Sequence, residues 1–368
     1  VSKVIHLIAA ARPNFMKIAP LYHALSEEKW CEARIVHTGQ HYDPSMSDAF
    51  FRDLRMPKPD FHLEVGSGTH AQQTGGVMIA YERVCFEYPP DLIVVVGDVN
   101  STAACAIVGA KLHIPVVHLE AGLRSRDRRM PEEINRLVTD AIADVFWTPS
   151  EDADENLRSE GVPAEKIECI GNVMIDSYEM LRPLIEQAAA TERFGVSPGG
   201  YLVATLHRPS NVDHIESLSE LVSELVAISR KTKIVFAIHP RTRKRLEEFS
   251  LLERLQKESG MVLTGPLGYI EFMSLISSAR AVITDSGGVQ EETTYLGIPC
   301  MTLRDNTERP VTVTMGTNRL VKPCDLQQYV ARALDGTWPQ SKVPPRWDGR
   351  AAVRAVEDLR RRMDAGLF

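Results

Sequence analysis

The sequence predicts an α/β protein of two doubly wound, Rossmann-like domains with a cleft between them, and three observations lead there. The chain has 368 residues, more than a single hydrophobic core usually supports. Its first half alternates short, continuously apolar, β-branched runs with stretches of helical length, the pattern of βαβ units on a parallel sheet covered on both faces. A second series of the same kind follows the small-residue stretch 188–200. Hydrophobic residues make up 44% and charged ones 25%, a balance that supports a packed core and excludes global disorder.

Taken in order, residues 4–10, 34–38, 92–96, 116–119 and 145–148 are the expected strands of the first domain, each closed by turn or polar residues. Residues 15–29, 69–87, 101–112 and 132–143 have the length and composition of the helices between them. After the turn Ser197-Pro198-Gly199-Gly200, strands are expected at 201–206, 233–238, 262–264, 281–284 and 300–303. Ile215, Leu218, Leu221, Val222 and Leu225 form the stripe of a helix packing on a sheet. Beyond Pro344-Pro345, residues 351–363 read as a final amphipathic helix. The expected domains are 1–175 and 176–350, with 351–368 packing back on the first. A ligand should sit in the cleft outside the carboxyl ends of both sets of strands.

Forty-two Lys and Arg stand against 49 Asp and Glu, a net charge of −7, so no global basic surface recruits nucleic acid or anionic lipid. An anionic ligand must be held locally. The apolar runs are strand-sized, far below the ~20 residues of a membrane span. No basic-then-apolar leader is present, so a cytoplasmic protein is expected. The six cysteines never approach CxxC spacing; reduced, buried thiols are expected rather than disulfides or zinc ligands.

Chemistry-bearing residues gather at the expected strand ends. Strand 281–284 runs into Asp285-Ser286-Gly287-Gly288-Val289-Gln290-Glu291-Glu292. Two glycines let a backbone approach a ligand, and Ser286 can cap the following helix, so Ser286, Gly287 and Gly288 outline a phosphate site. The run is neither GxGxxG nor GxxxxGK[ST], which argues against nicotinamide enzymes and P-loops. Glu292 is too far along to cap; it either accepts from vicinal ribose hydroxyls or is solvated. Arg304 and Arg309 follow the next strand, suited to a diphosphate or to salt bridges with Asp305 or Glu308. Arg12 and Lys17 follow the first strand, at the cleft mouth or as plain surface cations. Asp98 and Glu120 directly follow parallel strands, where acid/base groups or structural pairs belong. Pro131-Glu132-Glu133 opens a helix; neighbours there lie about 100° apart, so at most one faces the cleft. His207 and His239 close neighbouring strands.

Read together, Ala11-Arg12-Pro13, Gly97-Asp98, Glu120-Ala121-Gly122-Leu123-Arg124, Pro131-Glu132-Glu133, His207-Arg208, Asp285 to Glu292 and Glu308-Arg309-Pro310 resemble the non-hydrolysing UDP-N-acetylglucosamine 2-epimerases over nearly the whole chain. The resemblance implies the two-domain architecture shared with many glycosyltransferases (glycosyltransferase-B-like). It implies an isomerase that expels UDP by anti elimination and re-adds it to a 2-acetamidoglucal, supplying precursors for cell-surface polysaccharide. Asp98, Glu120, Glu132 and His207 match the family's catalytic positions. Ser286, Gly287 and Gly288 would hold the diphosphate, Glu292 the ribose, Arg12 and Arg309 the phosphate charge, and Phe272 would lie near uracil; Lys17 and His239 complete the substrate-binding set. No nicotinamide, pyridoxal phosphate or metal is implied, and a homodimer is.

Two departures bear on specificity. The family's Gly-Thr-Arg-Pro-Glu is Ala10-Ala11-Arg12-Pro13-Asn14, which implies a different sugar-side loop. Gln40-His41-Tyr42-Asp43 and His207-Arg208-Pro209-Ser210 replace charged segments of members activated by a second UDP-GlcNAc, so weak or absent activation is expected. The alternatives are a hydrolysing 2-epimerase, an epimerase of a UDP-diacetamido-hexuronate, a glycosyltransferase of the same fold, and a non-catalytic UDP-sugar sensor.

Overall fold

The structure, a computed structural model, describes residues 2–10, 12–39 and 51–367, and the side chain of Arg12 is outside that description. The segment Gln40 to Asp43, on which the activation expectation partly rests, also lies outside the described residues. The chain divides into two compact units: Val1–Met180 with Pro345–Phe368, and Leu181–Pro344.

The first unit is built on seven parallel strands: β1 Lys3–Ala9, β2 Cys31–His37, β3 Phe61–His62, β4 Leu92–Val96, β5 Val116–Leu119, β6 Val145–Thr148 and β7 Ile167–Cys169. Their order is β3-β2-β1-β4-β5-β6-β7. Every residue of β4, β5 and β6 is buried, as a parallel sheet covered on both faces requires. The helices are α1 Arg12–Ser26, α2 His70–Glu87, α3 Asn100–Lys111, α4 Pro131–Ile142, α5 Glu151–Ser159, α6 Val173–Gln187 and, from the end of the chain, α12 Ala351–Asp364. A capping box between Thr69 and Gln72 starts α2.

Three details differ from the sequence expectation. Strand β2 begins at Cys31 rather than residue 34, because its ladder with β1 starts at Lys3 opposite Cys31. Helix α1 begins at Arg12 rather than residue 15; Pro13 falls in the first turn, where its missing N–H costs nothing. The stretch 188–200, expected only to hold a turn before the second series of strands, also holds a short helix, Ala190–Arg193.

Helix α12 packs on α1. Its first free amides, Ala351 N–H and Ala352 N–H, donate to the Asp176 carboxylate of α6 at 3.1 and 2.7 Å. Trp147 of β6 donates its indole N–H to Asp358 at 2.9 Å. A cap supplied from another helix and a buried indole bond thus secure the returning element.

The second unit carries β8 Tyr201–Thr205, β9 Lys233–Ala237, β10 Met261–Thr264, β11 Ala281–Thr284, β12 Cys300–Thr302 and β13 Asn318–Leu320, all parallel, in the order β10-β9-β8-β11-β12-β13. Helices α7 Ile215–Ser229, α8 Pro240–Glu248, α9 Tyr269–Ser277, α10 Gly287–Leu296 and α11 Leu326–Leu334 surround it. Leu218, Leu221, Val222 and Leu225 of α7 join Leu202, Ala204, Ile234, Phe236 and Ile283 of the sheet in one core. Ile215, the first residue of the stripe, stays exposed. In both sheets the strand order reverses beside the first strand, between β1 and β4 and between β8 and β11. That leaves a crevice at the carboxyl ends of those strands.

All six cysteines are free, but Cys324 is exposed and Cys169 half-buried, which corrects the expectation that all are buried. Among the described residues, no helix is long and apolar enough to cross a membrane, and no three His, Cys, Asp or Glu side chains gather as metal ligands would.

Candidate active site

In the first unit, the turns after β1, β4 and β5 converge. Glu120 follows β5 with φ +68°, a left-handed conformation that non-glycine residues rarely hold and that marks functional turns. Its carboxylate pairs with the Lys17 ammonium at 2.5 Å, and both are largely buried. Lys17 is therefore no surface cation. Gly97 follows β4 with φ +66°; a Cβ there would stand 3.3 Å from Lys17 Nζ and 3.6 Å from Glu120 Oε2. Only a glycine lets the β4 turn floor this pair so closely.

Asp98 comes next. Its carboxylate accepts from Arg136 Nη1 at 2.5 Å, and Asn135 Nδ2 donates to its carbonyl at 2.9 Å. Arg136 is one of the largest fully buried side chains and also pairs with Glu133 at 2.6 Å. Glu133 further accepts from the amides of Ser125 and Arg126 at 2.9 and 2.8 Å. Burial would raise the Glu133 carboxyl, but these amides and Arg136 hold it below its ordinary value. The adjacent glutamates therefore divide their work as the helical period demands. Glu133 is buried and anchors the loop, while Glu132 is exposed in the first turn of α4.

In the second unit the ends of β8, β9, β11 and β12 do the same. Asp285, fully buried after β11, accepts from the amides of His207 and Arg208 and from Asn211 Nδ2. Its carboxylate lies 2.9 Å from His207 Nδ1. Burial pushes this carboxyl up, but His207, Asn211 and the Arg208 amide outweigh it and hold it below the usual range. Asp285 thus orients His207 through Nδ1, with Nε2 as the ring's other nitrogen. The His207 and His239 rings are 5.5 Å apart. Exposed His239 caps α8, its Nδ1 accepting from Arg241 N–H at 3.2 Å. Its pKa is lowered by partial burial and by His207.

Ser286 occupies the N-cap of α10, but its side chain makes no capping bond, contrary to expectation; the amide of Ser286 donates to Thr284 Oγ1 instead. The α10 N-terminus faces a chain of buried charges. Arg304 pairs with Glu308 at 2.7 Å, Glu308 with Arg309 at 2.6 Å, and Arg309 with Glu291 at 2.8 Å. Burial would raise the Glu308 carboxyl, yet Arg309 and Arg304 hold it far below the carboxylate range. A Cβ on Gly287 would meet Glu308 Oε1 at 2.6 Å and Arg309 Nη1 at 2.9 Å, whereas one on Gly288 would meet nothing. Arg304 Nη1 is buried with no hydrogen-bond partner among the described residues, a donor that awaits an acceptor. An anion arriving here finds free amides, a helix dipole and two guanidiniums.

Glu292 is not solvated. It is buried in α10 beside Tyr269 of α9, and burial, with Glu291 nearby, raises its carboxyl to about 8. Phe272 stands one turn beyond Tyr269 on α9 and is half-buried.

Each unit therefore gathers its own predicted residues: Lys17, Asp98 and Glu120 in the first, and His207, His239, Ser286, Gly287, Gly288, Glu292 and Arg309 in the second. Arg136, Asp285 and Tyr269 escaped sequence reasoning. The spacing Glu133 to Arg136, an i, i+3 pair, was the one available signal for Arg136; the other two partnerships join residues far apart in sequence.

Comparison with known proteins now adds the family. A family model described as UDP-N-acetylglucosamine 2-epimerase matches residues 23–360. The UDP-N-acetylglucosamine 2-epimerase of Methanocaldococcus jannaschii is 44% identical over 86% of this chain and 87% of its own. The UDP-2,3-diacetamido-2,3-dideoxy-D-glucuronate 2-epimerase of Pseudomonas aeruginosa is 42% identical over 96% of this chain and 98% of its own. A crystal structure of the M. jannaschii enzyme, in complex with UDP-GlcNAc and UDP, superposes with a TM-score of 0.86 at 40% identity, covering 97% of this chain and 99% of that one.

Proposed function

The chain belongs to the UDP-N-acetylglucosamine 2-epimerase family, and from that premise we propose that it interconverts UDP-GlcNAc and UDP-ManNAc without net hydrolysis. The observation that carries this reading is the pairing of two kinds of strand-end site. One has carboxylates at the ends of adjacent parallel strands, Asp98 and Glu120. The other is a helix N-terminus with Gly287, Gly288, Arg304 and Arg309.

The chemistry needs both. The proton at C2 of the sugar is poorly acidic, so a base must act while the C1–O bond breaks. The C–H electron pair forms the C1–C2 double bond, and the C1–O pair leaves with UDP. The product is 2-acetamidoglucal. UDP then re-adds at C1 while C2 takes a proton on its opposite face. Two faces require two proton handlers, and Asp98, Glu120, Glu132 and His207 are the groups offered. Arg136 and Lys17 pair directly with the first two carboxylates, and Asp285 aims His207. The diphosphate charge that grows as C1–O breaks falls to Arg309 and Arg304 and to the amides of Gly287 and Gly288. Glu292 with Tyr269 takes the ribose, and Phe272 lies by the uracil.

A second reading is favoured by one observation. The loop that leads into α4 exposes Arg126, Arg128 and Arg129, cations suited to the carboxylate of a UDP-hexuronate, and the P. aeruginosa relative spans nearly the whole chain. The test is incubation of purified protein with each UDP-sugar, read by the anomeric region of the NMR spectrum. UDP-ManNAc formed from UDP-GlcNAc supports the proposal. Free ManNAc with UDP means hydrolysis, and turnover of the diacetamido-hexuronate alone moves the substrate to the second reading.

A further inference from the structure

We infer that His118 is a positioning residue that locks together the two turns bearing Asp98 and Glu120, an assignment that rests on the epimerase reading of this site. His118 lies on β5, fully buried, two residues before Glu120. Its Nε2 lies 2.8 Å from the carbonyl of Gly97, the residue before Asp98. Its Nδ1 lies 2.6 Å from Asp140 Oδ1. A carbonyl and a carboxylate only accept, so each contact is a hydrogen bond given by a ring nitrogen. Asp140, through its other oxygen, accepts from the Gly122 amide at 3.1 Å and from Arg124 Nη1 at 2.7 Å. Arg124 continues to Glu160 at 2.5 Å.

One imidazole therefore reaches the β4 turn directly and the β5 turn through Asp140. Those turns hold three left-handed residues, Gly97 at φ +66°, Glu120 at +68° and Gly122 at +78°. Of the three only Glu120 is not a glycine, and a non-glycine persists in this conformation only where its surroundings over-determine it. Three buried groups, His118, Asp140 and Arg124, supply that constraint, with Glu160 tying the chain off at the surface. None of them belongs to the set that handles protons on the sugar; His118 sets where that set stands. Displacing a reacting group by about 1 Å can cost on the order of 10²-fold in rate.

Two conservative substitutions separate the ties. His118→Gln places an amide N–H near the position of Nε2 and can keep the bond to Gly97. His118→Asn places one near Nδ1 and can keep only the bond to Asp140. The experiment measures kcat and KM for UDP-GlcNAc, and the fraction of turnovers released as 2-acetamidoglucal, per folded chain counted from the far-ultraviolet melting transition. The expected result is that His118→Asn loses about tenfold or more in kcat with KM within about threefold, and leaks more glucal, while His118→Gln retains the larger share of kcat. Equal kcat in the two variants, near-wild-type kcat in both, or failure of both to fold would each overturn the positioning role, the last by making His118 a folding residue. If wild-type protein itself does not epimerise, the reading of the site fails and not the His118 assignment alone.

Discussion

Glu292 combines a buried helix position with a carboxyl raised from 4.5 to about 8. The folded chain holds that proton more tightly than the unfolded one, so its contribution to stability is fullest below about pH 4.5 and declines as pH rises toward 8. Glu292→Gln cannot ionise and keeps an acceptor for Tyr269. Thermal melting of both proteins from pH 5 to 9 should show the variant gaining on wild type as pH rises; parallel profiles would mean that Glu292 is not held protonated. The proton handlers make a second test. Asp98→Asn, Glu120→Gln, Glu132→Gln and His207→Asn should each lose about 10²-fold or more in rate, the scale of a general acid or base. At least one should release 2-acetamidoglucal without completing inversion, because re-addition lacks its partner. Burial separates their melting temperatures. Glu120→Gln breaks a largely buried ion pair with Lys17 and should lose roughly 2 kcal/mol or more, whereas exposed Glu132→Gln should melt as wild type. Near-wild-type turnover in all four would remove the assignment. Sequence alone placed Asp98 and Glu120 at strand ends but could not pair them with Arg136 and Lys17, since those partners come from other helices.

The α10 N-terminus carries a prediction that separates stability from binding. Gly287 is hemmed in by Glu308 and Arg309, but a methyl on Gly288 meets no atom. Gly288→Ala should therefore leave the melting temperature unchanged or slightly raised, since alanine is the better helix former. It should still weaken UDP at least about tenfold, because the added methyl stands where a phosphate approaches bare backbone. Calorimetry with UDP decides; unchanged affinity would move the phosphate away from this helix. The long, apolar strands β1, β4, β8 and β11 announce themselves by composition. β3, β7 and β13 do not, because two or three residues carry no usable period; they form by extending sheets whose neighbouring strands offer open edges. Ser286 shows the converse limit. Its position at the cap was readable, but its side chain makes no capping bond.

The chain repeats one device, a parallel sheet with its order reversed beside the first strand, and places different groups at each reversal: carboxylates after β4 and β5, and a glycine-opened helix N-terminus with a histidine after β8 and β11. That repetition was readable from the alternation of elements. The contacts that secure α12 were not, because capping by Asp176 and the Trp147–Asp358 bond link residues up to 211 positions apart. In the proposed reaction C2 loses its proton to the protein while UDP departs and returns. UDP-GlcNAc incubated with the protein in D2O tests it most directly, with the sugar followed by NMR and mass spectrometry. Solvent deuterium is expected at C2 of UDP-ManNAc, and of recovered UDP-GlcNAc as equilibrium is approached, with no hydrogen lost at C3 or C5. UDP-ManNAc that forms with its original C2 hydrogen intact would contradict it.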